Sequence, residues 1–174
     1  MNASRLALFG THNPIDLESV VTPRIPPKAG IFKCRVVYSE RIESVEIIPY
    51  VRKAVSSLKI VHADDLDYSH KYSDRNPLNL LFERRGDCDD ILIIKNGFVT
   101  DTSFSNVAFL DRGRWVTPCS YILAGTRRAG LLAAGGLFRG PVRIGDIHRF
   151  STVCLINAML EPGEVSIDTR DIIA

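Results

Sequence analysis

Three short segments of this 174-residue chain carry the groups that could do chemistry. The first holds Lys71, the second runs from Asp101 through small hydroxyl residues to Asn106, and the third is LAGTRR at residues 123–128. A lysine becomes a nucleophile when desolvation or nearby positive charge lowers the pKa of its amine. A carboxylate at a strand end could keep a ring nitrogen protonated. The third segment opens a predicted helix, whose N–H groups and dipole favour an anion such as phosphate.

An amine, an acid and a phosphate site are together the protein groups that pyridoxal phosphate requires. Each also has an ordinary interpretation, because Lys71 could be a solvated loop lysine and Asp101 a turn or cap residue. Every helix likewise has an N-terminus, so the hypothesis rests on the conjunction of the three. It predicts that Lys71 faces inward and that Asp101 serves the cofactor rather than the fold.

Composition restricts the class of protein. With 45% hydrophobic residues, the chain can bury the core of one domain, or of one domain and a fragment. A net charge of +2 with scattered basic residues gives no nucleic-acid footprint. The longest apolar stretch, residues 129–138, is far shorter than the roughly 20 residues that cross a bilayer. No secretory signal is recognisable, so we expect a cytoplasmic protein without a membrane partner.

The cysteines and histidines do not have the spacing of a metal site, and we expect no metal. The four cysteines are predicted to be reduced thiols, mostly buried: Cys34, Cys88, Cys119 and Cys154. An acidic cluster at residues 87–90 lacks the glycine and the terminal glutamate of a calcium loop. It is predicted to be a solvated turn.

The hydrophobic pattern predicts a mixed α/β protein, class α+β, with many short strands in its second half. Helices are predicted over residues 5–9, 16–21, 76–85, 126–134 and 144–150. Strands are predicted over residues 31–38, 44–51, 58–62, 91–95, 98–100, 106–110 and 152–158. Asn96-Gly97 is a strong hairpin turn signal, and the tail from residue 161 is predicted to be loose. A polar stretch before residue 58 divides a partial N-terminal domain, 1–57, from a C-terminal cofactor-binding domain, 58–174.

Together these segments resemble the fold-type IV pyridoxal-phosphate enzymes, which include branched-chain and D-amino-acid aminotransferases and aminodeoxychorismate lyase. The resemblance is strongest over residues 70–159. The family's lysine precedes a helix ending in paired leucines, as Lys71 precedes residues 80–81 here. Residues 91–106 are similar to its strand, turn, acid and asparagine, and residues 123–128 are similar to its phosphate loop.

The resemblance implies a two-domain fold, a homodimer, and a role for each matching position. Lys71 would form the Schiff base with the cofactor and shuttle the proton. Asp101 would contact the pyridine nitrogen, where the family usually has glutamate. The backbone of Thr126 and Arg127 would bind the phosphate. Further positions would face the cofactor: Ser105, Asn106, Gly125, Asn157 and Ala158.

The run Asn157-Ala158-Met159-Leu160 is more similar to the lyase than to the branched-chain aminotransferases. The resemblance therefore implies elimination of pyruvate from 4-amino-4-deoxychorismate, giving 4-aminobenzoate for folate. An aminotransferase of the branched-chain or D-amino-acid type is the alternative, and a catalytically decayed cofactor-binding relative is the second. In the family, a phosphate-clamping arginine lies upstream of the residues that resemble 2–9. The chain is therefore expected to be N-terminally truncated, with activity that depends on the missing segment.

Overall fold

The computed structural model describes residues 1–174 and divides them into two compact units, Met1–Lys53 and Ala54–Ala174. The division falls at Lys53, whereas the sequence pattern placed the junction after residue 57. No helix is both long and apolar enough to span a membrane.

The first unit contains two short helices and one hairpin. Helix α1 is Asn2–Phe9 and helix α2 is Leu17–Val21, followed by a 3-10 turn at Thr22–Arg24. Strands β1 (Phe32–Tyr38) and β2 (Ile42–Pro49) pair antiparallel. Both predicted helices and both predicted strands are confirmed, with bounds that differ by no more than three residues at any end.

Arg5 of α1 is the one fully buried residue of this unit. Its guanidinium donates to the carbonyl of Asn13 at 2.7 Å, to the side chain of Asn2 at 3.3 Å and to the carbonyl of Glu40. These bonds join α1 to the loop before α2 and to the turn between β1 and β2.

The second unit is built on a nine-stranded mixed sheet. Its elements in chain order are β3 (Leu58–His62), α3 (Asn76–Glu83), β4 (Asp90–Lys95), β5 (Phe98–Thr102), β6 (Asn106–Asp111), β7 (Arg114–Pro118), α4 (Thr126–Ala133), β8 (Phe138–Gly140), a 3-10 helix (Ile144–Arg149), β9 (Thr152–Ile156), β10 (Ser166–Asp168), a 3-10 turn (Thr169–Asp171) and β11 (Ile172–Ile173). The main path is β10-β9-β6-β5-β4-β3-β11, and β7 pairs with β6 and β8. The α+β prediction is confirmed, although β7, β8, β10 and β11 were not among the predicted strands.

Strand β4 is the centre of the core. Because side chains alternate across a strand, Leu92 and Ile94 pack in one apolar cluster, and Ile91 and Ile93 pack in another with Leu78 of α3. Both faces of β4 are thus covered, which explains its continuous apolar sequence.

The hairpin between β4 and β5 turns at Asn96-Gly97, as predicted. Both residues have positive φ angles, 51° and 78°, which fit a type I′ turn and favour asparagine and glycine. This turn fixes the register that brings Asp101 to the end of β5.

The prediction of a loose tail after residue 161 is wrong. Val165 and Ile167 are buried, which is the alternation of a half-buried strand, and β10 pairs antiparallel with β9. Strand β11 then pairs parallel with β3, with Ile172 opposite Leu58.

The prediction of a solvated acidic turn at residues 87–90 is also wrong in part. Asp90 is fully buried at the start of β4. Asp89 accepts hydrogen bonds from the backbone N–H groups of Ser56 and Ser57 at 2.7 and 3.2 Å. These aspartates tie the residues before β3 to β4, and no group of three or more potential metal ligands occurs in the structure.

The cysteines are not mostly buried. Cys34 and Cys119 are exposed, Cys88 is intermediate, and only Cys154 in β9 is buried. All four are free thiols. Their exposure follows from element position, because Cys34 lies on a two-stranded hairpin whereas Cys154 lies in the nine-stranded sheet.

Candidate active site

Asp101, at the end of β5, is buried and hydrogen-bonded on both carboxylate oxygens. Its Oδ2 accepts from the backbone N–H groups of Ile122 and Leu123 at 2.9 and 2.8 Å. Its Oδ1 accepts from the Asn106 amide at 2.7 Å. Burial raises the pKa of the Asp101 carboxyl, whereas these three bonds and the charge of Arg128 act to lower it. The expectation that Asp101 plays no part in the fold is wrong, and its contact with a cofactor stays a prediction.

Asn106 lies directly opposite Asp101 in the register of β5 and β6. Its Nδ2 donates both to Asp101 and to the carbonyl of Leu123, the latter at 2.9 Å. A Cβ atom added at Gly125 would lie 2.0 Å from the Asn106 Oδ1. Glycine is therefore required at position 125 by the close approach of the Asn106 amide.

Helix α4 begins at Thr126, as predicted, and no side chain caps it. Its N-cap residue is Gly125, which has no side chain to accept a bond from the first turn. Thr126 and Arg127 are both exposed at this start. The first-turn N–H groups and the helix dipole make it a position that favours an anion.

The turn after β5 brings two more predicted residues together. The backbone N–H of Thr102 donates to the carbonyl of Ser105 at 2.8 Å, which closes the tight turn expected from the small hydroxyl residues. The Ser105 hydroxyl accepts from the Asn157 amide at 2.9 Å. Asn157 in turn accepts from the backbone N–H of Met159 at 2.8 Å, and Ala158 is exposed on the turn between them.

The turn that follows Asn157 also approaches α4 through a salt bridge. The guanidinium of Arg127 pairs with the carboxylate of Glu161. The Arg127 side chain is therefore engaged with a protein carboxylate.

Lys71 is exposed, on the irregular segment between β3 and α3, so the expectation that it faces inward is wrong for this structure. The residue of this segment that packs inward is Tyr68. It is buried, and its hydroxyl donates to the Tyr72 carbonyl at 2.8 Å. At the end of the segment, Arg75 donates to the carbonyl of Ser103 at 2.8 Å. The segment that carries Lys71 is thus attached to the turn after Asp101, a link that the sequence analysis missed.

The sequence analysis also left open the role of Arg128, which is 4% exposed. Its guanidinium donates to the Thr117 hydroxyl at 2.9 Å and to the Pro118 carbonyl at 2.7 Å, and burial lowers its pKa. The helical spacing could have predicted that Arg128 is buried, because Arg128 lies on the same helix face as Leu131 and Leu132, which pack on the core. Arg128 fastens α4 to β7.

Comparisons with known proteins identify the family of this chain. Residues 35–166 match the family described as Amino-transferase class IV. A protein of Haemophilus influenzae, named only as uncharacterized, is 38% identical over 144 residues, which are 83% of this chain and 77% of that protein. The crystal structure of a protein named a putative 4-amino-4-deoxychorismate lyase, from Haemophilus somnus 129PT, has a TM-score of 0.85 and 33% identity, covering 90% of this chain and 84% of that one.

A more distant structure shows the fold alone. The PLP-bound form of a hypothetical aminotransferase from Mycobacterium tuberculosis has a TM-score of 0.72 and 17% identity, covering 98% of this chain and 74% of that chain. The chain belongs to the class IV aminotransferase family, whose fold is that of the fold-type IV pyridoxal-phosphate enzymes. The family resemblance stated from the sequence is thereby confirmed.

The residues present fit pyridoxal phosphate. The start of α4 has no side-chain cap, so its first N–H groups offer the donors that a phosphate requires. The Asp101 Oδ1 accepts one hydrogen bond, although a carboxylate oxygen can accept two, so a second acceptor position remains for a ring N–H. Lys71 supplies an exposed amine.

Proposed function

We propose that this chain is a pyridoxal-phosphate-dependent lyase that converts 4-amino-4-deoxychorismate to 4-aminobenzoate and pyruvate. The observation that carries the proposal is the similarity to the Haemophilus somnus protein, at 33% identity over 84% of that chain. Aminotransferases among the solved structures, such as the Mycobacterium tuberculosis protein at 17% identity, support only the shared fold.

Three parts of the site would hold the cofactor. The N–H groups of Thr126 and Arg127 would bind its phosphate, Asp101 would keep the ring nitrogen protonated, and the Lys71 amine would attach to it covalently. When bound, pyridoxal phosphate supplies an electron sink next to the amino-bearing carbon of the substrate. The Glu161 partner of Arg127 partly offsets the positive charge beside the phosphate.

Lys71 would also move the proton that the reaction transfers. Its Nζ would take the proton from the amino-bearing ring carbon and return it to the methylene carbon of the departing enolpyruvyl group. The carbon–oxygen bond to that group breaks as the ring becomes aromatic, so the products are 4-aminobenzoate and pyruvate with no net proton or water consumed. This stoichiometry distinguishes the reaction from transamination, which requires a 2-oxo acid.

The difference in stoichiometry between elimination and transamination provides a test of the reaction. Chain loaded with pyridoxal phosphate is given 4-amino-4-deoxychorismate alone, and 4-aminobenzoate and pyruvate are measured together. Equal amounts of both products, without added 2-oxo acid, are expected. Turnover of D- or branched-chain amino acids only when 2-oxoglutarate is present would identify the aminotransferase alternative. Cofactor binding with neither activity would identify a decayed relative.

The covalent attachment has its own test. Borohydride reduction of the loaded chain followed by peptide mapping should place the pyridoxyl group on Lys71. Lys59, which donates to the Ala174 carbonyl at 2.6 Å, is the matched control and should stay unlabelled. Label on another lysine, or none at saturating cofactor, would reject the assignment.

The phosphate site can be tested by a substitution that removes a single hydrogen-bond donor. Thr126→Pro removes the Thr126 N–H at the first helical position, where proline is well tolerated. Gly125 already has φ −66° and ψ 131°, which a following proline favours. The variant should lose affinity for pyridoxal phosphate but not for pyridoxal, whereas Thr126→Ala, which keeps the N–H, should retain both.

A further inference from the structure

We propose that Asn106 is a positioning residue that locks Asp101 to the start of α4, so that the ring-nitrogen acid and the phosphate site keep a fixed separation. The inference rests on the proposed function, because it concerns the two anchoring points of the same cofactor. The resemblance implied that Asn106 faces the cofactor itself, and the hydrogen bonds in the structure favour a different role.

The first observation concerns the donors of Asn106. An amide nitrogen has two N–H groups, and those of Asn106 point to Asp101 Oδ1 at 2.7 Å and to the Leu123 carbonyl at 2.9 Å. Both donors are therefore used within the protein. The amide nitrogen has none left for a ligand, so Asn106 acts on the cofactor through its neighbours.

The second observation concerns Leu123, which is held from both sides. Its N–H donates to Asp101 Oδ2 at 2.8 Å, and its carbonyl accepts from Asn106. The Leu123 carbonyl also accepts from the Gly125 N–H at 2.9 Å. Leu123, two positions before the N-cap residue Gly125, is thus fixed relative to Asp101 by a closed set of hydrogen bonds.

The third observation is the packing of Asn106 against the helix start itself. The Asn106 Oδ1 occupies the space where any side chain at position 125 would begin. Asp101 and Asn106 are 5% and 6% exposed, so water has little access to compete for their bonds. Hydrogen bonds to a charged group in such a setting are worth more than exposed ones.

The consequence is specific to a ligand that is anchored at two ends. If Asn106 is shortened, Asp101 and the start of α4 each remain, but their separation is no longer fixed. A ligand that uses both anchors should lose affinity, because small misplacements of binding groups are costly. A ligand that uses only the ring end should lose much less.

Pyridoxal phosphate and pyridoxal form the matched pair of probes, because they share the ring and aldehyde and differ in the phosphate. Dissociation constants for both are measured by absorbance titration of the full chain, for the parent, Asn106→Ala and Asn106→Asp. Asn79→Ala, at an exposed asparagine of α3, is the control. Near-ultraviolet circular dichroism and the thermal midpoint establish that each variant is folded.

We expect the parent to prefer pyridoxal phosphate and Asn106→Ala to reduce that preference about tenfold or more, with a smaller change for pyridoxal. Asn106→Asp keeps the side-chain volume but places a second carboxylate against Asp101. This variant should therefore lose at least as much of the preference for pyridoxal phosphate. Asn79→Ala should keep the preference of the parent. A general loss of structural stability would weaken the binding of both ligands together, so it would leave the ratio of their dissociation constants unchanged.

A folded Asn106→Ala with the preference of the parent would overturn the inference. If that variant does not fold, Gly125→Ala displaces Asn106 from the other side while keeping its bonding atoms, and an unchanged preference there would overturn it equally. A parent that binds both probes equally would instead reject the phosphate site of the proposed function. The two failures are therefore distinguishable.

Discussion

Residues 1–53 contain one fully buried side chain, the guanidinium of Arg5, whereas residues 54–174 contain every buried apolar side chain of the protein. The first unit is a two-stranded hairpin with short helices, an arrangement that is marginally stable by itself in water. The second has a nine-stranded sheet with covered faces. One unit is organised by hydrogen bonds around a cation, and the other by an apolar core.

The two units should therefore respond to different perturbations. Apolar burial contributes about 25 cal/mol for each Å² removed from water, so truncation of a core side chain should weaken the second unit strongly. The first unit has no such core to truncate. Its sensitive point should be the set of hydrogen bonds that Arg5 donates.

Thiol reactivity should show the largest contrast. Cys34 of the first unit is exposed, whereas Cys154 is buried in β9, and burial raises the pKa of the Cys154 thiol to about 11. At pH 8 we expect Cys34 to be alkylated at least about a thousandfold faster than Cys154, because the Cys154 thiol is accessible only after local unfolding of the sheet. Peptide mapping of timed iodoacetamide reactions measures both rates. Comparable rates would contradict the contrast, and equal rates in 6 M guanidinium provide the control.

A matched pair of phenylalanine truncations should show the next largest effect. Phe109 in β6 is fully buried, with its ring centroid 5.1 Å from that of Phe150, so Phe109→Ala should cost about 3–5 kcal/mol of unfolding free energy. Phe9 in α1 is 42% exposed, and Phe9→Ala should change it by less than about 0.5 kcal/mol. Urea unfolding followed by Trp115 fluorescence measures the loss in the second unit for Phe109→Ala, and amide hydrogen exchange across α1 measures the loss in the first unit for Phe9→Ala. A larger loss for Phe9→Ala would reverse the comparison.

Arg5→Met tests the cation in the first unit. It removes bonds to the carbonyls of Asn13 and Glu40, and hydrogen bonds to a charged group are worth about 1.5–3 kcal/mol each. We expect amide hydrogen exchange to accelerate across α1 and β1 while β4 keeps its protection. Arg24→Met, at an exposed arginine, is the control and should change neither. Faster exchange in β4 with none in α1 would be the contrary result.

The smallest effect concerns an exposed ion pair of the second unit. Hydrogen bonds from Arg170 lower the pKa of Asp168 from 3.8 to about 2. A carboxyl whose folded pKa is lowered adds stability above pH 3.8, and that stability is lost as the pH falls towards 2. The urea midpoint of the parent should exceed that of Asp168→Asn slightly at pH 6, and the difference should shrink as the pH falls below 3.8 and vanish below about 2. A difference that stays constant from pH 6 to pH 2 would show that the contribution is not ionic.

Local signals allowed much of the fold to be predicted. The apolar run of β4, the Asn96-Gly97 turn and the Gly125-Thr126 helix start are each determined by neighbouring residues. Strands β10 and β11 could not be found this way, because their short sequences gain a partner only from β9 and β3. Strand β7 is short and carries Arg114 and Trp115 ahead of Val116, so its pattern is weak without β6 beside it.

In the candidate site, too, some features could be predicted from the sequence and others could not. The residue types at positions 71, 101 and 126 suggested their chemistry, and the family resemblance added Asn106 and Gly125. Two of the three hydrogen bonds to Asp101 come from residues 21 and 22 positions further along the chain, and no local pattern indicates them. Arg75 likewise reaches Ser103 across 28 positions, which only the tertiary structure shows.

The pairing of β11 with β3 has a consequence for biosynthesis. Lys59 of β3 and Ala174 meet across 115 positions, so at about 5–20 residues per second the β3 edge waits roughly 6–23 s for its partner strand. An unpaired edge is a template for pairing between nascent chains on neighbouring ribosomes. Synthesis at lower temperature lengthens that wait but weakens apolar association, so the yield of folded protein should pass through a maximum as the growth temperature is varied.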